Sequence, residues 1–321
     1  MKIALLIIAA ILAIIAALFI GPAPISIGEA LAALLGKGEE SAVLIVQQIR
    51  APRAALAAIV GAGLGASGAA LQGYTRNPLA DGGILGFSAC AALGAVTALY
   101  FGFAAWTPLA ALIGAGLGAS AILMLVGARK GAGTLILAGV GIGALATALT
   151  GLVMNFAPNP WALSEIVYWL MGSLREADMN GLIMAGPLTA IGIGALLLTG
   201  ADLRTLSLGE DTAVSLGVSL RRVQILLIIG VALCIGSGVA VAGAIGFIGL
   251  FIPHIMRMIY GPDPARLIWL SAIAGAGFLS LADMATRLLA NGGAVLYLGI
   301  LTSLIGVPFF LYLAVKAPHY E

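Results

Sequence analysis

Charge is what this chain most lacks. Lys and Arg together number 15 and Asp and Glu 13, so only 9% of the 321 residues are charged, while 62% are hydrophobic. A soluble domain carries roughly 25% charged and 45–50% apolar residues. A water-soluble globule of this composition could not cover itself with polar groups, and the soluble classes are excluded before any motif is read. Histidine is nearly missing too, at His254 and His319 alone, and the two cysteines, Cys90 and Cys234, sit inside apolar runs. They read as small core residues rather than a disulfide, and with no Cys/His ligand spacing no metal site is expected. A net charge of +2 selects no partner, and nucleic acid is not an expected one.

Other absences narrow the function. No Gly-x-x-x-x-Gly-Lys-Ser/Thr occurs, so the chain does not itself cradle the phosphates of ATP. Gly63-Leu-Gly65-Ala-Ser-Gly68 matches a dinucleotide fingerprint literally, but it lies inside an apolar run with no preceding strand. No catalytic constellation is visible: the carboxylates are scattered and neither histidine has an evident partner, so an enzyme is not expected. The apolar runs are almost free of ionisable groups, which counts against proton or sodium coupling. Asp283, Arg257 and Arg287 fall near the ends of runs, where snorkelling or loop pairing can account for them. Broken helices that bind sodium through carbonyls stay open as an alternative.

What is present is glycine, 45 residues, and proline, 13 residues, threaded through long apolar segments. Both are tolerated in lipid, where neighbouring helices approach closely over small residues and re-satisfy freed carbonyls. Gly61/Gly65, Gly114/Gly118 and Gly139/Gly143 share a four-residue spacing that reads as helix packing. A membrane span needs about 20 mostly apolar residues. Cutting at charges, prolines and turns predicts ten spans, at 3–20, 54–74, 84–103, 106–127, 133–156, 180–200, 223–241, 243–260, 268–285 and 296–315. Two cuts are soft, at Phe103–Trp106 and Ala242–Gly243, where almost no loop is available. The first run, after Lys2, is longer than a secretory signal core and reads as a span.

With both termini inside, the inner set is Lys2, Arg76, Arg129, Lys130, Arg204, Arg221, Arg222, Arg257, Arg266 and Lys316, and the outer set is Lys37, Arg50, Arg53, Arg175 and Arg287. Ten against five follows the positive-inside rule and predicts cytoplasmic termini. Three segments outside the spans look structured. Ser26 to Glu29 is a capping box followed by a glycine stop at Gly36, and 161–171, after Pro158 and Pro160, carries interfacial aromatics. The third lies in the inner loop 201–222. There Ser207-Leu208-Gly209-Glu210 reads as a second capping box, Asp211 adds charge suited to a helix amino end, and Gly217 stops the helix. This short helix looks like a docking surface.

Signatures cluster at the span ends. They are RAPRAALAAIVGAGLGASGAALQGYTRNPLADGGILG (Arg50 to Gly86), LILAGVGIG (Leu135 to Gly143), YWLMGSL (Tyr168 to Leu174), LGEDTAVSLGV (Leu208 to Val218), GAIGFIGLFIPHIMRMIYGPDPARL (Gly243 to Leu267) and ADMATRLL (Ala282 to Leu289). Taken in order, they resemble the FecCD family of permeases, which serve ABC importers of iron–siderophores, haem, vitamin B12 and some oxyanions. The resemblance spans nearly the whole chain.

The resemblance implies an all-α polytopic permease of ten transmembrane helices, like the vitamin B12 importer permease, in the cell membrane of a prokaryote. It implies a second copy of the permease, giving a homodimer with a central pathway between the copies, and two copies of an ATPase subunit that hold ATP and Mg. An extracytoplasmic binding protein would deliver the substrate. The family's coupling loop falls on Ser207, Leu208, Gly209, Glu210, Asp211, Leu216, Gly217 and Arg221. Its binding-protein docking arginines fall on Arg50, Arg53 and Arg287, against which stands simple headgroup anchoring. Its cytoplasmic gate falls on Asn77 and Leu79 and on Gly131 to Thr134, with Gly133 and Thr134 central. The family often has proline where Gly82 stands, which implies a looser gate loop, and Asn291-Gly-Gly-Ala-Val replaces its usual segment before the last span. Iron–siderophore is the commonest role; haem, cobalamin and molybdate or tungstate follow, and an ion-coupled secondary transporter is the remote alternative.

Overall fold

The computed structural model describes residues 1–126, 131–290 and 295–316, with side chains as far as Tyr312. Arg129, Lys130, His319, the Lys316 side chain and the 291–294 segment lie outside these described residues. The chain forms α1 (Lys2–Phe19), α2 (Ile27–Leu34), α3 (Glu40–Leu44), α4 (Ala51–Thr75), α5 (Phe87–Tyr100), α6 (Thr107–Val126), α7 (Ala132–Asn155) and α8 (Pro160–Leu170). It continues through α9 (Met179–Leu198), α10 (Gly200–Leu206), α11 (Glu210–Ser215), α12 (Leu220–Ala242), α13 (Ile248–Tyr260), α14 (Pro264–Leu289) and α15 (Leu298–Lys316). A π-helical turn, Ile45–Arg50, leads from α3 into α4 without a break in the helix, and Pro52 follows it, where proline cannot donate to the preceding turn.

At the centre α4 runs antiparallel to α14. A Cβ added to Gly61 would meet the Gly275 carbonyl oxygen, and one added to Gly65 would meet that of Ser271. Side-chain-free positions thus let the two backbones touch, the packing that membrane helices use when burial alone gives no preference between helix and lipid. The other four-spaced glycines do the same. Gly114 and Gly118 receive Cys90 of α5, and Gly139 and Gly143 receive Leu85 and Gly86. Helix α12 packs antiparallel on α9, with a Thr189–Ser237 hydroxyl contact at 2.8 Å in the buried interface.

Among the described residues, seven helical stretches are long and apolar enough to cross a membrane, and α5, α13 and Leu298–Tyr312 of α15 are shorter apolar helices. Two of these begin at depth. The chain leaves α4 at Arg76, passes Asp81 against α13 and Gly82 against α12, and starts α5 only where Gly86 meets Gly139 and Gly143, about 10–17 Å along α7 from its first residue. Likewise, after α12 the segment 243–247 follows α15 from Gly299 to Gly306, about 10 Å, before α13 starts. The expected spans at 84–103 and 243–260 are therefore helices of 14 and 13 residues preceded by irregular chain. Loop polar groups at such depth must be satisfied inside the protein. The Ala242 carbonyl accepts from Ser173 N at 2.7 Å, and the Gly172 carbonyl accepts from Leu298 N at 2.9 Å. This explains the soft cut at Ala242–Gly243: the connection there is internal and apolar, so hydropathy does not mark it.

Candidate functional site

The loop between α9 and α12 was expected to hold a helix capped by Ser207. Instead Ser207 closes α10, its hydroxyl donating to the Arg204 carbonyl at 2.6 Å. Gly209, at φ 113°, takes the cap position of α11, so the box between Ser207 and Glu210 does not form. Glycine reaches that backbone conformation without a Cβ penalty, and it lets α11 start two residues later than the side-chain pattern suggests. The stop at Gly217 does form, at φ 91°, with Val218 N donating to the Ala213 carbonyl at 3.0 Å. Leu208 and Leu216 are each 65% exposed. Asp211 and Arg221 point to solvent, but Glu210 is half-buried. One turn back, Arg204 grips Asp263, the cap of α14, at 2.7 and 3.0 Å. That hydrogen bond holds the Asp263 carboxyl below its usual range and raises the Arg204 guanidinium.

The residues expected to form the gate sit at the same end. Arg76 adopts a left-handed conformation, φ 52°, and turns the chain off α4. Asn77 Oδ1 then accepts from Leu79 N at 2.9 Å, an Asx turn that presents both exposed side chains. Gly133 and Thr134 lie in the first turn of α7, with Thr134 N donating to the Gly131 carbonyl at 3.1 Å. The loop was expected to be looser for having Gly82 in place of proline. Gly82 is instead buried against Ile235, and its N–H donates to Asp81 Oδ1 at 2.7 Å, a bond proline could not make. Asp81 in turn lies against Gly249 at the start of α13.

The three arginines expected at the docking rim form one cluster at the far end of α4. Arg53 holds Asp283 of α14 through Nη2 at 2.8 Å and Nε at 3.0 Å. Arg287 lies 3.2 Å from the same carboxylate, close enough for an ion pair though not aligned for a hydrogen bond. Arg50 donates to the carbonyls of Phe19 at 3.0 Å and Ala23 at 2.7 Å, and Arg287 donates to Ala17 at 3.0 Å and Ile20 at 2.6 Å. Two guanidinium groups thus cap the carboxyl end of α1, whose last carbonyls would otherwise lack partners. Arg50 is 3% exposed, and the side chains of Arg287 and Arg53 are 6% and 13% exposed. All three arginines are largely buried, and Arg53 keeps the most access.

Asp283 and Arg287 were read as span-end groups that snorkel or pair in a loop; Asp283 is fully buried and paired with Arg53 and Arg287 between the helices. The sequence offered one usable signal for this: an aspartate and an arginine four apart on one helix face. Sequence reading also missed the role of Gln72. It donates to the Leu250 carbonyl at 3.1 Å and accepts from Arg257 Nη2 at 2.9 Å, joining α4 to α13. Against α8, the 243–247 segment and α15 lies a cavity of about 610 Å³, lined by residues such as Met171, Gly246, Gly299, Ser303 and Leu304.

The sequence profile of the FecCD transport family matches residues 7–316. The chain belongs to the FecCD transport family. Among relatives of this FecCD chain, the cobalamin import system permease protein of Halobacterium salinarum is 39% identical over 85% of this chain and 74% of its own length. The Fe(3+)-citrate import system permease protein of Bacillus subtilis is 34% identical, covering 93% of this chain and 90% of its own. A solved structure of a metal-chelate type ABC transporter in an inward-facing conformation superposes with a TM-score of 0.88 and 29% identity, over 98% of this chain and 99% of that one. This FecCD protein is therefore a multi-pass permease subunit of an ABC importer for metal chelates, with an all-helical fold like that of the vitamin B12 permease. Membership implies an ATPase and a substrate-binding protein as partners.

Proposed function

We propose that two copies of this chain form the membrane pathway of a prokaryotic importer whose cargo is an iron–siderophore chelate. Each copy would meet one of two ATPase subunits through α11, with ATP and Mg held by those subunits and no cofactor in this chain. Both termini would face the cytoplasm, so that Leu208, Asp211 and Leu216 meet the ATPase while the cargo arrives at the Arg53 end from its binding protein.

The observation that carries this reading is the exposure of Leu208 and Leu216 on either side of α11. Two large apolar side chains on a charged loop suit a groove in a protein partner. An apolar cavity of about 610 Å³ with few polar groups suits a bulky cargo that is guided rather than held. Asp283, a fully buried carboxylate among the helices, is paired with two arginines and is not free to bind a coupling ion, which weighs against a secondary transporter. At the rim, Arg53 is the cation available to a carboxylate on the binding protein, while Arg50 and Arg287 hold the surface from beneath. The cobalamin relative keeps cobalamin as a second cargo, with haem and molybdate or tungstate behind it.

Reconstitution tests the reading. The purified chain alone should hydrolyse no ATP, and adding its ATPase and loaded binding protein should give stimulated hydrolysis and uptake of ferric siderophore into proteoliposomes. Uptake driven by an ion gradient without nucleotide would refute the importer. Uptake of cobalamin but not ferric siderophore would refute the cargo alone.

A further inference from the structure

Glu210 and Asp211 are neighbours on α11, yet they face different things. Asp211 is exposed, whereas Glu210 turns inward, towards the amino end of α7. A Cβ placed on Gly131 would lie 3.0 Å from Glu210 Oε2 and 3.2 Å from Oε1. Gly131 is the cap residue of α7 and has no side chain with which to accept the first-turn N–H groups. The carboxylate of Glu210 therefore stands where the helix is most in want of negative charge. Tyr74, at the end of α4, lies within electrostatic reach of the same carboxylate, and Gln224 of α12 donates to the Tyr74 hydroxyl at 2.7 Å. One acidic side chain of the loop helix thus lies against the start of α7 and acts through its charge on the end of α4.

We infer that Glu210 is a positioning residue that carries displacement of α11 to the gate segment of α7, rather than a contact for the ATPase. The inference rests on the proposed coupling role of α11 and divides that helix in two. Leu208, Asp211 and Leu216 form its outward face, and Glu210 is its inward link. When a partner moves α11, the carboxylate keeps the amino end of α7 with it, and Gly133 and Thr134 follow. Gly131 is suited to its place because any Cβ there would push the carboxylate aside.

The test uses the whole importer in nanodiscs, with E210Q, E210D and D211N, and a spin label at Thr134→Cys. Glu210→Gln should assemble with the ATPase as the parent does and retain stimulated hydrolysis. Cargo moved per ATP should fall about fivefold, the scale of one lost helix-terminus charge. The nucleotide-dependent change at the Thr134 label should disappear, and E210D should restore part of both. Asp211→Asn should instead weaken assembly and leave cargo per ATP intact. Should E210Q not fold, Gly131→Val, which displaces the carboxylate without altering α11, must uncouple in the same way. Weaker assembly of E210Q with normal cargo per ATP, or a Gly131→Val protein that couples normally, would overturn the inference. Failure of the parent chain to bind any ATPase would instead refute the proposed function itself.

Discussion

Arg53 and Asp283 lie 230 positions apart in sequence and meet as a multiply hydrogen-bonded pair, with guanidinium–carboxylate distances of 2.8 to 3.0 Å and the carboxylate wholly buried. The pair fixes the register of α4 against α14 at one end, as the glycine contacts fix it along their length.

Removing one member leaves a buried charge without a partner, which costs about 3–5 kcal/mol, whereas removing both for apolar groups of similar size is often neutral. Asp283→Ala should therefore lower the melting temperature in detergent sharply. The double variant Arg53→Met/Asp283→Leu should recover part of the loss, because Arg287 still loses its ion-pair partner. Thermal unfolding followed by intrinsic fluorescence checks both, and a double variant as unstable as Asp283→Ala would refute the account.

Close helix contact gives a second expectation. A methyl at Gly68 would strike the Gly249 carbonyl, while one at Gly116 would meet nothing within 4 Å. Gly68→Ala should destabilise by about 1–3 kcal/mol, the cost of overpacking, and Gly116→Ala should not. The same melting assay ranks them.

Salt separates the rim arginines. If Arg53 is the accessible cation, Arg53→Ala should weaken binding-protein association at low ionic strength and flatten its salt dependence. Arg50→Ala should lower stability through the lost α1 carbonyl bonds and leave the salt slope unchanged. Association rates measured across a salt series decide this, and equal slopes for the two variants would count against the assignment.

Acid tests the Arg204–Asp263 pair. The folded-state pKa of Asp263 is lowered, so its contribution is present above the unfolded carboxylate pKa and is lost as pH falls through the lower, folded one. The pair is largely solvent-exposed, with Arg204 at 59%, so solvent screening keeps the effect small. Asp263→Asn should be slightly less stable than the parent at neutral pH, and the gap should close in strong acid. Melting curves against pH provide the comparison.

The membrane class, the positions of most helices and the family were legible from composition, apolar run length and ordered signatures. The four-residue glycine pairs were legible as packing because close approach admits no side chain. What hydropathy could not show was depth. Residues 243–247 read as continuous with a span because an internal connection is as apolar as the helices around it. The fate of Ser207 was hidden as well, because a serine can end one helix as readily as begin the next, and Gly209 decided between them. At the rim, the arginines were legible as a group, but their direction was not. Sequence marks a guanidinium near a span end without saying whether it turns outward to a partner or inward to Asp283 and the end of α1.

The joined backbones of α4 and α14 have a last consequence. Helices in contact at Gly61–Gly275 and Gly65–Ser271 leave no seam for a chelate to enter, and they cannot part without breaking a buried ion pair. Together they behave as a fixed spine. Leu137, Leu145 and Leu304 stand uncovered on other helices, so whatever moves in this protein moves around that spine and not through it.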